Sequence, residues 1–301
     1  MTLAPPSIRI GAPLRHGPLS AFPLFAGSGS TADYRLSVDS LADGSVVVEE
    51  VGTEGLVTEL EVENLGDVPV LFLEGEELIG AKQDRVVNTS VLIAPGDRMR
   101  MPVTCVEQGR WAFRSHRMMQ TGVHSPSMVR YALKSSVSLS LSERRHPVSN
   151  QVEVWESVAR LHAGHDVASQ TGAMGDTFAK YAAEVERYRQ ALAYVPGAQG
   201  LAVAVSDRVV AIDRFDKAAT CEKVWDRLLS GAVLDALLAP DDRSDISPAA
   251  VEMILEEMAS GIWEPVETVG EGQEFRAEFG RCHASALSYR GAVVHESAVL
   301  A

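Results

Sequence analysis

The apolar positions of the chain fall into two regimes. Between Ile8 and Trp111 they come in short runs that alternate with polar residues, at 34–38, 46–50, 56–64, 70–78, 86–93 and 99–106. A period of two sends successive side chains to opposite faces, so these runs predict strands with one buried face. The punctuation between them predicts turns. Ala42-Asp43-Gly44 and Leu65-Gly66-Asp67 tolerate positive φ, and Ala94-Pro95-Gly96-Asp97 follows a fixed φ with a permissive one. Pro102 has no backbone donor, which places the last of these strands at an edge or on a bulge.

The second regime begins near Gln151. Val152, Trp155, Val158 and Ala159 share one side of a helix that ends at Ala163-Gly164. Met174, Phe178, Tyr181, Val185, Tyr188 and Leu192 recur at alternating steps of four and three, a helical stripe made to cover a sheet, and Pro196-Gly197 stops it. Residues 201–205 and 209–213 flank Ser206-Asp207-Arg208 as a hairpin. Residues 217–238 put Cys221, Val224, Trp225, Leu228, Leu229 and Ala232 on one broad helical face, closed by Asp241-Asp242-Arg243. Ser247 reads as an N-cap with Pro248 at the first helical position, ahead of a helix that ends at Ser260-Gly261. Strands return at 274–279, 284–289 and 292–298, with Arg290-Gly291 as a hairpin turn. Residues 113–150, rich in Ser, Arg, His and Met, show no sustained period and read as a connector. No βαβ period repeats. The class expected is α+β: an N-terminal antiparallel β layer or sandwich over 1–112, the connector, then antiparallel sheet plus helices over 151–301, separate from the first region or continuous with it.

Composition bears on function more than on fold. A chain of 301 residues that is 46% hydrophobic can bury a large core. Its 27 basic and 41 acidic side chains leave a net charge of −14, which repels a phosphate backbone and argues against general nucleic-acid binding. Arg98 with Arg100, and Arg110 with Arg114 and Arg117, remain local clusters suited to a small anion. The opening residues Met1-Thr2-Leu3-Ala4-Pro5-Pro6 lack a basic stretch followed by an apolar one, and no run approaches the roughly 18–20 apolar residues that span a bilayer, so a soluble cytoplasmic protein is expected. Cys105, Cys221 and Cys282 are odd in number and widely spaced, which predicts reduced thiols.

Candidate chemistry concentrates between Phe72 and Trp111. In an uninterrupted strand Glu74 and Glu76 share one face and Glu77 takes the other. Two like-facing carboxylates either hold a divalent cation or raise the pKa of one member until it can donate a proton. A solvated edge bulged at Gly75, or salt bridges within the fold, are the structural alternatives. Cys105 shares strand parity with Met99, Met101 and Val103; it is a nucleophile if Arg110, His116 or His124 supplies a base or positive field, and otherwise a buried inert thiol. Glu107 is a further acid or the ion-pair partner of Arg110. Gln83, Arg85 and Asn88 offer donors for a carboxylate, phosphate, ribose or base edge. Trp111 either floors a pocket, stacked on a planar ligand, or packs in the core. His162 and His165 have metal-like spacing without companion ligands, and Cys282 and His283 point to opposite faces of a strand. No dinucleotide fingerprint, P-loop or nucleophile elbow is present.

These residues carry a resemblance. The run Phe72-Leu73-Glu74-Gly75-Glu76-Glu77-Leu78-Ile79-Gly80-Ala81-Lys82-Gln83, with Arg85 and Asn88, and the run Cys105-Val106-Glu107-Gln108-Gly109-Arg110-Trp111 resemble the ARG and rhodanese-phosphatase-superfamily-associated protein family. Gln151 to Trp155, Thr171 to Met174 and Val210 to Asp216 add weaker echoes. The resemblance implies a link to ADP-ribosylglycohydrolases and phosphatase-like partners, and so to NAD-derived, ADP-ribose-type phosphorylated metabolites. On that basis the expected catalytic or cation-holding residues are Glu74, Glu76, Glu77, Cys105 and Glu107. The expected ligand contacts are Gln83, Arg85, Asn88, Arg110 and Trp111, with Arg85 and Arg110 meeting the anion. The alternative is a noncatalytic scaffold, a homo-oligomer joined through the glutamate-rich block.

Overall fold

The computed structural model of the chain describes residues 8–27, 30–144, 146–240 and 246–301. The Met1-to-Pro6 opening and the helix end at Asp241-Asp242-Arg243 lie outside them. Strands β1 (Arg9–Ile10), β2 (Leu14–His16) and β3 (Leu19–Phe25) come first, and β4 (Arg35–Leu36) runs into helix α1 (Ser37–Ala42) where one strand was expected. The chain continues through β5 (Val46–Glu50), β6 (Glu59–Asn64), β7 (Val70–Phe72), β8 (Glu76–Gly80), β9 (Arg85–Val87), β10 (Val91–Ile93), β11 (Arg98–Cys105) and β12 (Met118–His124). Helices α2 (Ser127–Arg144), α3 (Gln151–Gly164), α4 (Gly175–Lys180) and α5 (Ala182–Ala191) precede the hairpin β13 (Gly200–Val205) and β14 (Arg208–Phe215). Helices α6 (Ala218–Leu238) and α7 (Pro248–Ser260) lead to β15 (Glu264–Val266), β16 (Gln273–Phe279), β17 (Cys282–Tyr289) and β18 (Ala292–Leu300). The class is α+β.

The expected β layer is folded over into two sheets. One has the order β12-β8-β9-β11-β6-β5 and the other β10-β7-β4, and they share a core that includes Val48, Leu60, Val62, Phe72, Leu78 and Met101. Two runs read as single strands are broken to make this possible. At 70–78 the chain turns through Gly75, at φ +80°, so β7 and β8 enter different sheets. At 86–93 it turns through Asn88, Thr89 and Ser90. Pro102 is neither on an edge nor on a bulge. The β11–β6 register ends at Pro102 opposite Glu59, and the β11–β9 register starts at Val103, so the missing N–H falls where the strand changes partner.

The remaining strands form a nine-stranded sheet, β1-β3-β13-β14-β18-β17-β16-β15 with β2 on β3. Leu19–Phe25 is buried on both faces and so shows no alternation to betray a strand; it pairs with β13 from Leu19–Val205 to Leu24–Gly200. Helix α7 covers one face through Val251, Leu255 and Met258, while α2, α3, α5 and α6 pack with the other. The 113–150 stretch is not a plain connector. It holds β12 and the 18-residue α2, whose inner face carries Arg130 and Lys134 among its apolar residues, so hydrophobic period alone hides it. The face of α3 that is buried is Val154, Ser157, Val158 and Leu161, whereas Val152 is exposed. The stripe from Met174 to Leu192 is split at Tyr181 into α4 and α5. Ser247 caps α7 by position, with extended dihedrals, but its side chain makes no capping bond.

Candidate functional site

The turn at Gly75 sends the three glutamates into three environments, all fully buried. The Nζ of Lys134 lies 2.7 Å from Glu74 Oε1, and Nη1 of Arg276 lies 3.4 Å from its Oε2. Burial alone would raise the Glu74 pKa, but these two cations outweigh it and hold the carboxyl below its ordinary value. Glu76 accepts from the Ser37 hydroxyl, the Gln120 amide and the Leu73 N–H, with Arg227 at 3.5 Å. Glu77 accepts from the Thr121 hydroxyl at 3.0 Å, and its Oε1 has no partner. Burial, reinforced by Asp84 and Glu107, pushes Glu77 up to about 8, so it is a neutral acid at pH 7. The like-facing pair expected of Glu74 and Glu76 is not formed: each meets its own cation. Among the described residues no group of three or more His, Cys, Asp and Glu is arranged to hold a metal ion.

The second block does reach the first. Val106 donates its N–H to Asp84 O, and Glu107 Oε2 accepts from the Asp84 N–H at 3.0 Å. Glu107 Oε1 accepts from Arg110 Nε and from the Thr171 hydroxyl, both at 2.9 Å, while Gln83 Nε2 donates to Glu107 O. Burial raises the Glu107 pKa, but Arg110 and these donors leave it below its usual value. Arg110 also binds Asp84 Oδ1 and the carbonyls of Ala81, Ala112 and Gly80. Its fork is fully used within the chain, so the anion contact expected of it is not open.

Arg85 behaves differently. It is fully buried; among the described residues Nε and Nη2 have no partner, and Nη1 reaches the Asp84 carbonyl alone, at 3.5 Å. Burial lowers its pKa. Its guanidinium carbon lies 5.7 Å from the ring centre of Trp111, which is 46% exposed and not in the core. Register sets Arg85 opposite Cys105, whose Sγ is 3.3 Å from Glu107 O. The Trp155 indole, on α3, interacts with the thiol, and its Nε1 is otherwise unpartnered. Burial pushes the Cys105 thiol up, against the pull of Arg85.

Strand parity separates Glu77 from this guanidinium. Glu77 pairs with Val86 and Leu78 with Arg85, so Glu77 and Arg85 point to opposite faces of the β8–β9 ladder. Asn88 is a brace, donating to Pro147 O at 2.8 Å and accepting from Thr104. His162 donates from Nε2 to the carbonyl of Ala173, and His165 packs edge-on against Tyr181. Sequence reasoning missed Asp84, Thr121 and Thr171. Only Thr171 had a signal, the Thr171-to-Met174 echo.

The family model of the ARG and Rhodanese-Phosphatase-superfamily-associated Protein domain matches residues 7–299, nearly the whole chain. The chain belongs to this family. The match takes in all three sheets and both glutamate and cysteine blocks of this ARG and Rhodanese-Phosphatase-superfamily-associated Protein domain. No curated protein and no solved structure matches the chain. Among the described residues no helix is long and apolar enough to cross a membrane.

Proposed function

We propose that the chain binds a phosphorylated, ribose-containing metabolite of the ADP-ribose class, as an enzyme or a sensor, with its anionic group on Arg85 and a planar ring on Trp111. The observation that carries this reading is the Arg85 guanidinium, fully buried with two donors unmet beneath a half-exposed indole. An unpaired buried charge is costly, and a guanidinium fork matches phosphate oxygens. The family's name, which records association with ARG, agrees with an ADP-ribose ligand. Glu107 and Arg110 serve as the clasp that fixes Asp84, and with it the start of β9, in place. The burial of Glu74, Glu76 and Glu77 inside the fold favours this reading over a scaffold joined through the glutamate-rich block.

Calorimetry with ADP-ribose, ADP-ribose phosphates and NAD, with and without a divalent ion, tests the proposal. Saturable heat with at least one is expected, and Arg85→Met should weaken it by about 10-fold or more while leaving the circular dichroism spectrum intact. No heat with any of them rejects the reading.

A further inference from the structure

The surroundings of Glu76 contain a second set of unmet polar groups. Arg227, from α6, is buried, and its Nε, Nη1 and Nη2 all lack hydrogen-bond partners among the described residues. Its nearest opposite charge, Glu76 Oε2, stands at 3.5 Å. That carboxylate already accepts from Ser37, Gln120 and the Leu73 N–H, which leaves it little capacity for the guanidinium. His124 lies opposite Glu76 in the β12–β8 register, so both side chains leave the same face. It is buried and neither ring nitrogen has a partner. Gln120, which touches Glu76 through its amide nitrogen, keeps its buried Oε1 unpartnered. Ser40, one turn along α1 from Ser37, does the same with its Oγ. The open grooves of about 900 and 820 Å³ along α2 are lined by other residues.

Each unmet buried group carries its full desolvation penalty, and this many side by side rival the net stability of a domain. Something with polar atoms belongs among them. The count of hydrogens decides what kind: the guanidinium and the imidazole offer N–H groups in excess of the acceptors facing them, and the fork of an arginine fits the edge of an oxyanion. We propose that Arg227 and His124 hold a small inorganic oxyanion, of the phosphate or carbonate class, enclosed between α6, β12 and α1. The charged groups around it are Glu76 and Arg227 on one side and the Arg130–Asp213 pair with His295 on the other. The Arg227 guanidinium, 3.5 Å from Glu76, offsets the repulsion between that carboxylate and the anion. Because α1 closes over Glu76 through Ser37, exchange of the ion requires that short helix to move. The site is independent of the Arg85 proposal.

The test uses the full chain, dialysed into chloride and then titrated with phosphate or with bicarbonate at matched ionic strength, with thermal unfolding as readout. One of the two should raise Tm saturably, by about 4 °C at a hundredfold excess over Kd, beyond any effect of chloride. Arg227→Met and Arg227→Lys should abolish or weaken that rise, whereas Arg85→Met should keep it. A crystal structure in the effective anion should show it between Arg227 and His124. The proposal is overturned if neither anion exceeds chloride, if the rise is lost in Arg85→Met but kept in the Arg227 variants, or if the density there is water alone.

Discussion

Glu74, Glu76 and Glu77 are alike in sequence and differ in charge because of what faces them. Glu77 has acids for neighbours, and its folded pKa of about 8 stands above the ordinary 4.5. Between these values the folded state keeps a proton that the unfolded chain gives up, so stability falls as pH rises through this window and levels off above it. Glu77→Gln removes the titration and keeps an oxygen for the Thr121 hydroxyl. The variant should match the parent near pH 4 and exceed it at pH 8.5 by on the order of 1–3 kcal/mol. Urea unfolding at a series of pH values reads this, and a difference that stays constant with pH would contradict the assignment. Cys105 should resist alkylation in the native state, as its burial and raised pKa imply, and react on unfolding; rapid labelling of the native protein by iodoacetamide would count against that.

At the scale of elements, the decisive feature is a backbone sign. Gly75 sits at φ +80°, and a Cβ placed there would lie 2.5 Å from Cε1 of His124. Gly291 has the same φ in the β17–β18 turn, with nothing within 4 Å of that position. Gly291→Ala should therefore cost only backbone strain, about 1 kcal/mol. Gly75→Ala adds a ring that has to shift, for a total of about 2–4 kcal/mol. Denaturant midpoints measure both, and equal losses would show that His124 yields freely. Gly231 belongs to the same logic, since its absent Cβ lets α6 come against the carbonyls of His124 and Ser125.

Across the whole molecule, a buried ionic network joins the layers. The 88–90 loop reaches the nine-stranded sheet through Thr89 on Glu274 and Ser90 on His295, and α2 reaches it through Arg130 on Asp213 and Lys134 on Ser285. Lys134→Met should cost about 3–5 kcal/mol, because Glu74 is left buried without its closest cation, Arg276 standing 3.4 Å away. The double variant Glu74→Leu/Lys134→Met should recover part of this. A double variant no better than the single would mean that packing, not charge, is at stake. Burial would raise the Asp213 pKa, but Arg130 and His295 hold it well below the ordinary carboxylate range, and Glu74 is lowered as well. Both contribute stability that is present above their unfolded pKa near 4 and lost as pH falls through the folded values. Acid unfolding should therefore set in below about pH 4, and Asp213→Asn should flatten the pH dependence there.

Local chemistry was enough to determine the α+β class, the Ser206 and Arg290-Gly291 hairpins, α6, α7 by its Ser247-Pro248 start, and the block in which unusual polar groups collect. Each rests on a period, a turn residue or a cap that acts within a few residues. Only tertiary structure decided that β3 belongs to the C-terminal sheet, that 70–78 breaks at Gly75, and that Arg110 is consumed while Arg85 is left open. Those outcomes depend on partners far along the chain: Leu19 pairs with Val205, Glu74 with Lys134, and Glu76 meets Arg227. A carboxylate or guanidinium takes its charge, reach and reactivity from what surrounds it in space, and sequence order does not record that.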